Sequence, residues 1–129
     1  MIASAQSITM TSSPKQEEAK ALMSQRRWEE ALPILLEDII ENPEDGWTCL
    51  YISSCYYELC DAEKAMSWAE RAEELMPSEP TPLGCQGDVA LLTGDYSRGR
   101  ELYLKAFDLD PEDELAQKNW KRFLEIEKG

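Results

Sequence analysis

Between residues 62 and 75 the apolar side chains Ala62, Ala65, Met66, Ala69, Ala72 and Leu75 recur at three- and four-residue steps, with Glu63, Lys64, Glu70, Arg71 and Glu74 between them. That is the stripe of an amphipathic helix with one buried face. The same reading along the chain predicts seven helices, at about 15–25 with 28–41, 46–59 with 62–75, 81–93 with 96–109, and a last one at about 112–127. Their spacing is regular. Pro43, Pro77 and Pro111 stand 34 residues apart, each just after a helical run that it cannot continue, because it lacks an N–H and clashes with the preceding turn. Aligning the chain on these prolines brings Ala31, Ala65 and Gly99 into register, and likewise Trp28, Ala62 and Tyr96. A small residue at the first of these positions lets the second helix of a pair lie close against the first. The chain is therefore an internal repeat of helical hairpins.

Local signals agree. Gly94 suits a left-handed C-cap and Asp95 an N-cap between the helices of the third hairpin. Asp110-Pro111-Glu112 puts acidic residues near the positive end of the last helix. The face of that helix around Lys118, Lys121, Arg122 and Lys128 is polar, as a terminal element needs when nothing packs outside it. Pro33, a turn into the second helix of the first hairpin, is expected to remove one backbone hydrogen bond and bend that helix slightly.

These residues carry a resemblance to the tetratricopeptide-repeat family, whose 34-residue unit reads W-x2-L-G-x2-Y, then A-x3-F, then P. The third repeat matches at Gly87, Gly99, Tyr103, Ala106 and Pro111, and the second at Ile52, Ser53, Tyr56, Ala65, Ala72 and Pro77, with Cys49 in the Trp position. The first matches at Ala19, Leu22, Ala31, Leu35 and Pro43. There Asp38 stands where a small apolar residue is usual, which implies either an opening to solvent or a shifted register. The resemblance covers residues 12 to 127 and implies an all-α fold, a right-handed superhelix of three hairpins with a capping helix. The repeats fall at about 12–45, 46–79 and 80–113, within a domain of 14–129 behind a flexible lead of 1–13.

Composition narrows the functional classes. There is no histidine, hence no His-based general base and no Ser/His or Cys/His pair, and no glycine-rich phosphate loop. Cys49, Cys55 and Cys60 are spaced too far along one helix to converge on a metal ion, so they read as apolar thiols, and neither a metal nor a cofactor is expected. A thiol enzyme using Cys55 or Cys85 is the only catalytic alternative, and no motif supports it. Free cysteines point to a reducing, cytoplasmic setting. Residues 1–13 lack the basic start and cleavage site of a secretory signal, and no apolar run is long enough to span a bilayer. Acidic residues outnumber basic ones 26 to 13, for a net charge of −13, and residues 44–77 hold 8 acids against 2 bases. Nucleic acid is a disfavoured partner, since phosphate contacts need a basic stripe. The acid solvates the outer face, or steers a basic partner.

In the family, binding lies on the concave face built by the first helix of each hairpin. The resemblance implies a groove of Lys20 from the first repeat, Trp47, Leu50, Tyr51, Ser54 and Tyr57 from the second, and Cys85, Asp88 and Leu91 from the third. The cap adds Lys118, Asn119 and Arg122. Trp47, Tyr51, Tyr57 and Leu91 are the expected apolar anchors, because such side chains bury large area at small entropic cost. Lys20, Asp88 and Arg122 would set direction. Family members that clamp the acidic C-terminus of heat-shock chaperones use Lys and Asn, then Asn, then Lys and Arg in successive repeats. The matching positions here are Gln16, Lys20, Tyr51, Thr81 and Cys85, and none is retained. The expected function is a protein-interaction module that takes a peptide or helix of a partner, as an adaptor or assembly factor. The alternative is a small secretion chaperone, since the chain is similar in size, acidity and repeat number to the three-repeat chaperones of type III translocator proteins. Ile2, Ile8 and Met10 in the lead suggest an arm that covers the groove or pairs two copies as a homodimer.

Overall fold

A computed structural model describes residues 12–129, so the apolar lead residues Ile2, Ile8 and Met10, and any dimer arm made of them, lie outside the described residues. Seven helices follow in order: α1 Pro14–Ser24, α2 Trp28–Glu41, α3 Gly46–Glu58, α4 Ala62–Leu75, α5 Thr81–Leu92, α6 Tyr96–Leu109 and α7 Glu114–Lys128. All six hairpin helices end within about a residue of the sequence expectation. The last starts later: Asp113, not Asp110, caps it by accepting from the Ala116 N–H at 2.9 Å, and Pro111 and Glu112 belong to the preceding turn. Pro33 lies within α2 on its exposed side, and the helix runs on to Glu41.

Each helix packs on the next in sequence, and in addition α1 touches α3, α3 touches α5 and α5 touches α7. The backbones of the even-numbered helices stay apart among the described residues, and α4 and α6 meet only through long side chains, as where Lys105 Nζ lies 3.8 Å from Glu73 Oε2. Odd helices crowded together and even helices splayed apart make a curved two-layer stack whose inner, concave face is α1, α3, α5 and α7. Small residues set the crossing within each hairpin: Ala19 against Ala31, Ser53 against Ala65 and Gly87 against Gly99 are all buried. Ser53 donates its hydroxyl to the Ala65 carbonyl at 2.7 Å. In the third hairpin both residues have shrunk to glycine, because a Cβ on Gly87 would meet the Tyr103 ring at 2.7 Å and one on Gly99 would meet Leu91 Cδ2 at 2.9 Å.

The turns inside the hairpins repeat at the level of single hydrogen bonds. Arg26, Cys60 and Gly94, 34 residues apart, all have positive φ, at 62°, 63° and 83°. At each, the N–H bonds back three residues, to Met23, Tyr57 and Leu91, and the following N–H reaches Leu22, Tyr56 and Ala90 at 2.9 Å. This Schellman arrangement satisfies the last carbonyls of the first helix. Only Gly94 adopts that backbone without a steric penalty. Arg26 and Cys60 hold it because the hairpin packing on both sides leaves no other path.

Asp38 is buried at 1% exposure, and the register of the first repeat is sound. Its Oδ1 accepts from Ser13 Oγ at 2.8 Å and Asn42 Nδ2 at 3.2 Å, and its Oδ2 from Thr48 Oγ1 at 3.1 Å. Gln16 Nε2 donates in turn to Thr48 Oγ1 at 2.8 Å and Asp45 Oδ2 at 3.2 Å. Three neutral donors replace solvent around a carboxylate that no lysine or arginine approaches within ion-pair distance among the described residues. Such a network is stable only when complete. It also stitches α1, α2 and α3 together, and Ser13 doubles as the N-cap of α1.

Two stability predictions follow from this geometry. Cys60→Gly relieves left-handed strain of about 1 kcal/mol and raises the urea midpoint, whereas Gly94→Ala introduces it and lowers the midpoint by a similar amount, with no new contact at either site. Asp38→Ala leaves the donors of Ser13, Thr48 and Asn42 unmatched and lowers unfolding free energy by about 3 kcal/mol in the same measurement.

Candidate functional site

The expected groove residues distribute over the inner face in two clusters, with a few departures. At the α1–α3 end, Lys20 is exposed and its Nζ stands 5.8 Å from the centre of the Tyr51 ring, an attraction of about 0.5–1 kcal/mol at such a site. Tyr51 itself is half-buried, its ring packed on the core of the first two hairpins. Trp47, in the first turn of α3, is 41% exposed, and Ser54 and Tyr57 follow along the same helix, both half-buried.

At the α5–α7 end, charge gathers. The Tyr103 hydroxyl donates to Asp88 Oδ1, and Arg122 Nη2 lies 3.5 Å from the same oxygen and 3.3 Å from the Tyr103 oxygen. Burial raises the Asp88 carboxyl above the usual carboxylate range, and the Tyr103 hydroxyl and the Arg122 guanidinium pull it back. Tyr103 is pushed well above a free tyrosine, first by burial and then by its bond to Asp88. Tyr57 is raised too, first by burial and then by the negative field of Asp88. Sequence reasoning took Tyr103 only as the aromatic of the repeat pattern. A tyrosine where the pattern has phenylalanine was the signal that its hydroxyl has a partner.

Three expectations are corrected. Leu50 is 3% exposed and belongs to a buried cluster with Cys49 and Ala72, against which Ile39 of α2, Trp68 of α4 and Cys85 of α5 also pack, so it is core and not groove lining. Leu91 is half-buried with its tip against Gly99 of α6, where the missing side chain leaves room for it, so it seals the third hairpin more than it lines a groove. Gln16 was aligned with a groove position, but it is 4% exposed and committed to Thr48 and Asp45. Lys118 and Arg122 are exposed as expected, and Asn119 lies at 7% exposure between them, against Gly84 of α5.

Three of the cysteines are poor nucleophiles. Desolvation pushes the Cys85 thiol up to about 12 and the Cys49 and Cys55 thiols to about 11, so each stays protonated at neutral pH and packs as a small apolar group. Cys60 is exposed in the α3–α4 turn, away from the inner face. None of the helices is long and apolar enough to cross a membrane among the described residues.

No protein-family model and no curated protein matches the sequence. Solved structures match the fold closely. The first tetratricopeptide domain of Spaghetti (RPAP3), bound to the HSP90 peptide SRMEEVD, superposes with a TM-score of 0.77 at 16% identity, over 89% of this chain and 91% of that one. The Sgt2 tetratricopeptide domain from Aspergillus fumigatus gives 0.79 at 17% identity, over 92% and 83%. PcrH in complex with the chaperone-binding region of PopD gives 0.77 at 15%, over 87% and 84%. The chain thus has the tetratricopeptide-repeat fold, a right-handed superhelix of three helical hairpins closed by a capping helix.

Proposed function

We propose that this chain is a non-catalytic protein-interaction module that takes a segment of a partner protein along the inner face of α1, α3, α5 and α7. The observation that carries the reading is the pairing of half-exposed aromatics with oriented charge on that one face. Trp47, Tyr51 and Tyr57 offer apolar area with polar tips, while Lys20 at one end and the Asp88–Arg122 pair at the other give the face a direction. The structural neighbours RPAP3 and PcrH, each seen with a peptide or region of another protein, support the same use of the fold.

The partner differs in chemistry from an EEVD-type tail. Gln16 is spent inside the fold, Tyr51 and Cys85 bring no charge, and Thr81 is hydrogen-bonded to Glu79, which leaves Lys20 as the one cation among the five positions that would grip two carboxylates. An apolar segment flanked by charge suits the face better. A chaperone role, shielding such a segment of a client before assembly, is the second reading. It is favoured by the similarity to PcrH in its PopD complex.

The protonated thiols argue against thiol chemistry, and Cys55→Ala is expected to leave partner binding within about twofold, since a small apolar side chain replaces a buried group that acts as one. Capture from a lysate of the source cells, comparing the wild type with a folded Tyr51→Ala, Tyr57→Ala variant by mass spectrometry, tests the main reading. A partner lost only from the variant is the expected result, and its co-expression with and without this protein separates adaptor from chaperone by the partner's solubility. Identical partners on both baits would overturn the inner-face assignment.

A further inference from the structure

The outer side of the stack carries a cleft of about 320 Å³ between α4 and α6, floored by Gln86 of α5. Curvature opens it, since α5 packs on both of these helices while their backbones stay apart. Gln86 is 2% exposed. Its Nε2 donates to Glu73 Oε1 at 2.8 Å, and its carbonyl oxygen accepts from no group of the described residues. Yet no side-chain nitrogen or oxygen among the described residues is both sealed from solvent and unpaired. The Gln86 oxygen therefore keeps an opening, and the cleft that Gln86 lines supplies it. An acceptor held this deep is costly to leave without a donor, and packing alone does not explain an amide there.

The lining sorts by depth. Arg98, Glu101, Lys105 and Asp108 of α6 stand exposed at the rim, where two bases and two acids cancel. Glu73 lies deeper, beside Gln86, and carries the charge that remains unbalanced. Lys105 Nζ is 3.8 Å from Glu73 Oε2, beyond hydrogen-bonding distance, and its side chain is 66% exposed. Such a pair holds weakly. Glu73 thus has one close donor, from Gln86, and spare lone pairs on both oxygens. Leu102, 4% exposed, adds an apolar wall.

We propose that this outer cleft takes the guanidinium of an arginine side chain presented by a partner protein, with one N–H on the Gln86 oxygen, others on the Glu73 carboxylate, and the arginine stem along Leu102. A carboxylate and an amide oxygen side by side call for a planar fork of donors, which arginine has and the compact ammonium of lysine lacks. The aliphatic stem of such a side chain lies readily on apolar surface. An anion would meet Glu73 at the floor. The cleft is small for a ligand pocket and opens onto exposed rim residues, which suits one side chain arriving from a protein surface more than an enclosed small molecule. A net charge of −13 draws basic partners toward it. This site lies on the face opposite the inner one and does not rest on the inner-face reading.

Titration of the isotope-labelled protein with N-acetyl-argininamide, followed by NMR at the Gln86 side-chain NH₂ and the α5 backbone amides, tests the site. A saturating shift is expected, with N-acetyl-lysinamide binding about fivefold more weakly. Glu73→Gln keeps an acceptor for Gln86 and is expected to weaken the arginine probe about tenfold. Gln86→Met, of similar volume, removes the oxygen and should weaken it likewise. Glu74→Gln makes the same charge change outside the cleft and should leave binding unchanged. Lys105→Ala removes the competing cation and should tighten binding about threefold. The Tyr51→Ala, Tyr57→Ala variant should keep full affinity for the arginine probe, so failure here and failure of the inner face are told apart. No shift at Gln86, equal affinity for the two probes, or equal effects of Glu73→Gln and Glu74→Gln would reduce the cleft to general attraction by an acidic chain and overturn the proposal. Free arginine binding more tightly than the capped residue would overturn the protein source in favour of a metabolite.

Discussion

Close approach of two helices at a pair of small residues is the contact on which this architecture depends. Where Ala19 meets Ala31, Ser53 meets Ala65 and Gly87 meets Gly99, the helix backbones come near enough for the flanking larger side chains to interlock. Each hairpin then has a fixed angle, and stacking three of them at one spacing crowds the odd helices and spreads the even ones. The curvature of the inner face, and with it the neighbourhood of Tyr57, Asp88 and Arg122, is a consequence of those six small residues.

The third hairpin shows how finely that constraint is tuned. Glycine occupies both crossing positions, and the space it frees is filled by Tyr103 and Leu91. Tyr103 then reaches through to the inner face, where its hydroxyl holds Asp88 and adjoins Arg122. A packing adjustment in the core of one hairpin thereby sets the electrostatics of the opposite surface. The first hairpin makes a different adjustment. A buried carboxylate, Asp38, takes the place of an apolar side chain, and Ser13, Thr48 and Asn42 supply the donors that keep it there.

Legibility followed the range of the interaction. The helix limits, the turn at Gly94 and the 34-residue period rest on neighbours in sequence, and these were read to within about a residue from proline, glycine and the apolar stripes. Arg26 and Cys60 in left-handed turns were not, since nothing local favours that backbone in either residue and only the hairpin around it enforces it. Register alone assigned Lys20, Trp47, Tyr51 and Tyr57 to α1 and α3, where they stand exposed or half-buried. The burial of Leu50 and Gln16 was not legible, because register names a helix face while burial depends on which neighbours lean over it, and here side chains of several helices close over the Leu50 cluster and Thr48 engages Gln16.

Sequence by itself determined the repeat, the seven helices of the described residues, the absence of histidine and the acidic balance, all of which are properties of residue types at fixed separations along the chain. Only the tertiary structure decided that Asp38 is a satisfied buried carboxylate and that Tyr103, Asp88 and Arg122 form one cluster. Those are statements about atoms 10 to 34 residues apart that touch within hydrogen-bonding distance. Their energies depend on tenths of an ångström and on the exclusion of water, which the packing of helices sets and a one-dimensional pattern does not encode.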